Sequence, residues 1–137
     1  MELSSVTGFT NLTDSNTTAA VTFNSNFNVS GTFNMNGAGT LFTPGSPTVQ
    51  INSAGNAGTI TGNGKVQVTS LAPNPFSTQY RFATFGVTAL TVEWAGAGDQ
   101  GIENGVPGYG GIIVSGGGSV ETGTMAAAFR LEHHPSA

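Results

Sequence analysis

Cysteine is absent from the 137-residue chain. Disulfides and thiolate metal sites are excluded, so stability is expected to come from sheet packing and assembly. Charge is almost as scarce. Three basic and seven acidic side chains make 7% of the sequence, against roughly a quarter in an ordinary soluble domain. The basic residues are Lys65, Arg81 and Arg130. That leaves no footprint for nucleic acid and none for an anionic membrane surface. No apolar run reaches bilayer-spanning length, and no basic start precedes an apolar core. Neither a membrane anchor nor a secretory signal is expected. With so few charges, the surface must be dressed in Asn, Thr, Ser and Gly. Such a surface suits a chain that spends its life assembled, because sparse charge is easily covered at interfaces.

What is present is a strong alternation over residues 21–36. The odd positions read Val21, Phe23, Ser25, Phe27, Val29, Gly31, Phe33, Met35. The even positions are amides and hydroxyls throughout. Side chains on a strand alternate faces, so this predicts an extended ribbon, apolar on one face and wet on the other. As one strand it would be about three times the usual length. A lone small molecule cannot cover so long an apolar face. Phe23, Phe27, Val29, Phe33 and Met35 are therefore expected to form an assembly interface between identical copies.

Residues 1–20 are polar, with anchors at Leu3, Val6, Phe9 and Leu12, and read as an extended arm. Asn36-Gly37 predicts a tight hairpin, since both residues tolerate positive φ, and Asn63-Gly64 predicts a second. Between them lie short strands around Phe42, Val49, Ile51 and Ile60, divided by dense turns. This pattern fits a meander or a few rungs of a β-solenoid, and the lack of a fixed repeat period favours the meander. Pro73 and Pro75 mark a stiff joint. The expected organisation is an arm (1–20), a ribbon and meander region (21–72) and a compact β domain (76–137). In the last region Tyr80 and Phe82 oppose Arg81, and Leu90, Val92 and Trp94 oppose Thr91 and Glu93. Met125, Ala127, Phe129 and Leu131 form the inward face of a final strand. The predicted fold is all-β: an antiparallel sandwich or barrel of jelly-roll or tulip-like type.

Chemistry-bearing patterns are few. Residues 95–111 form a long glycine-rich stretch, and such loops often carry function. Asp99, Glu103 and Tyr109 are its candidate ligand-binding residues, with Tyr109 placed to stack on a sugar. The stretch lacks the dense Asp/Asn pattern of calcium loops. Its glycine spacing resembles a dinucleotide-binding loop, but the glycines and proline that follow cannot form the helix such a loop needs. His133 and His134 are adjacent near the end of the chain. On a strand they point to opposite faces, so one chain brings one imidazole to any site. No catalytic group, cofactor or metal site is predicted, and the chain is read as a non-enzyme.

Taken together, the Asn/Thr-rich alternating ribbon, the glycine-dense turns, the polar arm and the scarcity of charge resemble virion structural proteins of tailed bacteriophages. The trimeric capsid decoration, or cement, class is most similar in size. The resemblance implies a homotrimer on the outer capsid surface that binds the major capsid protein and stabilises the shell after synthesis in the host cytoplasm. The alternative it implies is a short fibre or spike module that binds host-surface glycan. Neither implies a nucleic-acid or membrane partner.

Overall fold

The computed structural model describes residues 2–3, 8–103, 106 and 108–122. Within it the alternating residues 21–36 do not run straight. They turn at Ser25 and at Gly31 and travel once around a packed interior. The chain repeats this circuit. The first coil holds β1 (Glu2–Leu3), β2 (Gly8–Phe9) and β3 (Leu12–Asp14). The second holds β4 (Val21–Phe23), β5 (Asn28–Val29) and β6 (Thr32–Met35). The third holds β7 (Leu41–Pro44), a lone bridge at Ile51 and β8 (Thr59–Gly62). The fourth holds β9 (Lys65–Val68), the helix α1 (Pro75–Gln79), a lone bridge at Tyr80 and β10 (Thr84–Gly86). β11 (Thr91–Trp94) and β12 (Gln100–Ile102) belong to the fifth coil, and β13 (Gly111–Val114) and β14 (Val120–Thr122) to the sixth.

Stacking the coils builds three parallel faces. The first is the six-stranded sheet β1-β4-β7-β9-β11-β13. The second is discontinuous: the pairs β2-β5 and β12-β14, with the bridges Phe27–Ile51–Tyr80. The third is the four-stranded sheet β10-β8-β6-β3. Every strand pairing among the described residues is parallel. The fold is a β-solenoid, and the expected antiparallel sandwich or barrel is overturned. On the first face Glu2 lies beside Thr22, Val21 beside Phe42, Leu41 beside Lys65, Lys65 beside Thr91, and Thr91 beside Gly111. Successive coils are thus 20, 21, 24, 26 and 20 residues long, which is why no fixed repeat shows in the sequence.

The expected hairpins are corners instead. Gly37 takes a φ of 129°, and the Thr40 amide closes a turn on its carbonyl at 3.0 Å. The chain leaves sideways into β7, beside β4, rather than returning along β6. Asn63 stacks on this corner: its Oδ1 accepts from the Gly37 amide at 2.8 Å, and its own amide donates to the Met35 carbonyl at 2.9 Å. The two Asn-Gly pairs therefore hold adjacent coils together. At the other corner, a Cβ on Gly31 would lie 2.6 Å from the Thr10 carbonyl oxygen of the coil below. Only a hydrogen fits there.

The expected ribbon interface is also corrected. Phe23, Phe27, Val29, Phe33 and Met35 are all 0–2% exposed within the single chain. Phe42 stacks on Phe23 at 5.2 Å and meets Phe33 edge-on at 4.8 Å. The apolar face is curled inward, so the chain covers it by itself. At roughly 2–3 kcal/mol for each buried Phe, this cluster is a main source of stability. The expected arm is, in its described part, the first coil. Phe9 and Leu12 pack partly buried against the core.

The proline joint lies within the fourth coil. Pro75 opens α1, where a missing amide hydrogen costs nothing, so the β domain expected from residue 76 begins as a helix. The Gln79 side chain accepts from the Thr69 amide at 2.8 Å and donates to the Ser46 carbonyl at 3.2 Å. The buried Tyr80 hydroxyl donates to the Gln67 carbonyl at 2.7 Å. These bonds tie the helical segment back to β9 and to the stretches that follow β7 and β9, all before the joint. The final strand expected at 125–131 and the His133/His134 tail lie outside the described residues.

Candidate functional site

In its described part, the long glycine-rich stretch is built into the solenoid wall. The Trp94 indole donates to the Gly101 carbonyl at 3.1 Å. Gln100 is buried; its amide group donates to the Val68 and Ser70 carbonyls at 3.0 and 2.9 Å and accepts from the Gly96 amide at 2.8 Å. Asp99 accepts from the Ser119 amide at 2.8 Å, binding the fifth coil to the sixth. Both carboxylate oxygens of Glu103 accept from the Ser77 amide, at 2.9 and 3.2 Å, in the first turn of α1. The Tyr109 hydroxyl donates to the Glu103 carbonyl at 3.2 Å, and its ring meets Trp94 edge-on at 5.3 Å. Burial, then the Glu103 charge, push that hydroxyl well above its ordinary value. The structure thus places Glu103 and Tyr109 together, with Asp99 bonded elsewhere, and gives each a structural bond.

The first face carries a polar ladder that satisfies itself. Thr43 donates to Gln67 at 2.6 Å, Gln67 donates to Glu93 at 3.3 Å, and Ser115 donates to the same Glu93 oxygen. Lys65 pairs with the other Glu93 oxygen at 2.8 Å. Burial acts to raise the Glu93 carboxyl, but the bonds from Lys65, Ser115 and Gln67 and the Lys65 charge outweigh it, and the carboxyl sits below its usual range.

The third face carries a different ladder, which the sequence reading missed. Thr32, Thr59 and Thr84 stand side by side on consecutive coils. A second column holds Thr13, Asn34, Thr61 and Gly86. The intervening Leu12, Phe33, Ile60 and Phe85 belong to the inward column. The signal was present as Thr-Phe-Asn, Thr-Ile-Thr and Thr-Phe-Gly, but coils of unequal length hid its alignment.

The first coil ends the stack on one side. β1 and β3 are the outer strands of their sheets, and β2 pairs only with β5. One whole rung therefore presents backbone groups unpaired among the described residues. Beside it, a cavity of about 180 Å³ is lined by Leu12, Asp14, Val21 and Phe42. Asp14 is buried there; its Oδ1 accepts from the Asn16 amide at 2.8 Å, while its Oδ2 has no hydrogen-bond partner.

No helix among the described residues is long and apolar enough to cross a membrane. Comparison with protein-family models, curated proteins and solved structures finds no match to this chain.

Proposed function

We propose that the protein is a structural, non-catalytic component of a virion that docks on the outer capsid surface and stabilises the shell. The observation that carries this reading is the open rung of the first coil. Three edge strands end the stack together, and an unpaired edge adds readily to a strand of another chain. Solenoid ends need a cover, because the last repeat has no neighbour to complete it. The half-buried Phe9 and Leu12 supply apolar contact at that rung. Pairing through the backbone needs little charge, in keeping with ten charged residues in the chain. The structural bonds of Glu93, Asp99 and Glu103 support a scaffold rather than an acid–base site. Of the four residues proposed to contact the capsid, Leu3 and Val6 have side chains outside the described set. The trimer implied by the resemblance is no longer needed to cover the phenylalanines, so copy number is part of the test.

The test is co-sedimentation of the full chain with undecorated tailed-phage shells, with sedimentation equilibrium of the chain alone. Saturable capture is expected, weakened about tenfold in Phe9→Glu and Leu12→Glu variants that keep the wild-type circular dichroism. A folded chain that stays in the supernatant at every concentration, or capture indifferent to both substitutions, would overturn the reading.

A further inference from the structure

The third face contrasts with the first in one respect. On the first face the outward polar groups bond to one another across coils. On the third face, the hydroxyls of Thr13, Thr32, Thr59, Thr61 and Thr84 make no hydrogen bond among the described residues. The two columns contain no charged residue. Thr13, Thr32 and Thr84 are exposed and Thr59 and Thr61 half-exposed.

Register makes this an array. Coils stack at the parallel-strand spacing of about 4.8 Å, and outward residues two apart on a strand lie about 6.6 Å apart. Threonine is β-branched and stiff at χ1, so each hydroxyl and methyl is held in place before anything binds. The face therefore offers a column of three threonines, Thr32, Thr59 and Thr84, beside a second column in which Thr13 and Thr61 alternate with Asn34 and Gly86, at spacings close to the oxygen repeats on a prism face of ice. Charged side chains would impose their own hydration shells, and the two outward columns have none.

We propose that the third face, through Thr13, Thr32, Thr59, Thr61 and Thr84, is a binding surface for the ordered water lattice of ice. Water held between the methyls and hydrogen-bonded to the hydroxyls already matches the crystal, so the surface joins a growing ice front. This activity is independent of the capsid-binding reading and can stand or fall without it.

The test grows ice slowly in a solution of the full chain and measures its concentration in the ice and in the remaining liquid. Inhibition of ice recrystallisation is scored in parallel. Thr32→Lys and Thr84→Lys alter exposed positions on the array and are expected to keep the fold. Thr22→Lys places the same charge on the first face. The wild type and Thr22→Lys are expected to enter the ice, and the two array variants to lose uptake about tenfold. Exclusion of the folded wild type from the ice overturns the proposal. So does uptake that the array substitutions leave unchanged, or that Thr22→Lys abolishes equally. Retention on insoluble polysaccharide without uptake into ice also overturns it, since the array would then recognise a sugar lattice.

Discussion

At the scale of single residues, the interior phenylalanines carry most of the stability that can be removed by one change. Phe33 is fully buried and touches both Phe42 and Phe82. Phe33→Ala is expected to cost about 3–5 kcal/mol in denaturant unfolding. Leu71, half exposed, should change stability by less than about 0.5 kcal/mol when cut to Ala. Two titrating groups bracket the stable range of pH. The unfolded Glu93 carboxyl takes up a proton near 4.5, whereas the folded one stays ionised lower. The unfolded state then binds more protons, so this contribution is present above 4.5 and is lost as pH falls through the lowered folded value. Glu93→Gln should flatten the acid limb of the stability profile. Burial raises the Tyr80 hydroxyl well above 10.0. There the folded state keeps a proton the unfolded state has lost, so stability falls as pH rises past 10.0. Tyr80→Phe should lessen that alkaline loss, at a cost of about 1 kcal/mol at neutral pH for the bond to Gln67.

At the scale of elements, the corners decide the fold. Gly31→Ala forces a methyl against the Thr10 carbonyl, and about 1–3 kcal/mol of destabilisation is expected in thermal or denaturant melts. Gly55 has nothing within 4 Å of a Cβ, so Gly55→Ala should be neutral or stabilising by up to about 1 kcal/mol. These corners also explain how much the sequence revealed. The in–out alternation from Val21 to Met35 was legible, and each residue read as apolar-facing in β4, β5 and β6 is buried. What the alternation did not reveal was its path. Ser25 and Gly31 sit at odd positions, so the parity of the pattern passes through both corners undisturbed, and a bent coil reads like a straight ribbon. Asn36-Gly37 tolerates positive φ as a hairpin requires, but a coil corner requires the same. Only the contact with Asn63, far along the chain, distinguishes the two. The threonine columns were hidden for a related reason: Thr32 and Thr59 are neighbours across a coil lengthened by an irregular segment around Ile51.

At the scale of the whole molecule, stacking replaces association as the means of covering the apolar face. The coils differ in length, but inward residues meet inward residues across every rung of the third face. The first coil combines edge strands with a cavity and a buried Asp14 oxygen that has no hydrogen-bond partner. The proposed interactions with other molecules therefore lie at that end and on the third face, not at the buried phenylalanines. The central claim is that residues far apart in sequence lie side by side in parallel register within one chain. The absence of native cysteine permits a direct measurement: oxidise a Thr32→Cys/Thr59→Cys double variant and read its mass and free thiols. Parallel neighbours at about 4.8 Å lie within the Cα range of a disulfide, so the account predicts a bond within one chain, no covalent dimer and no free thiol, at any dilution. Thiols that remain free, or that bridge only between molecules, would contradict it.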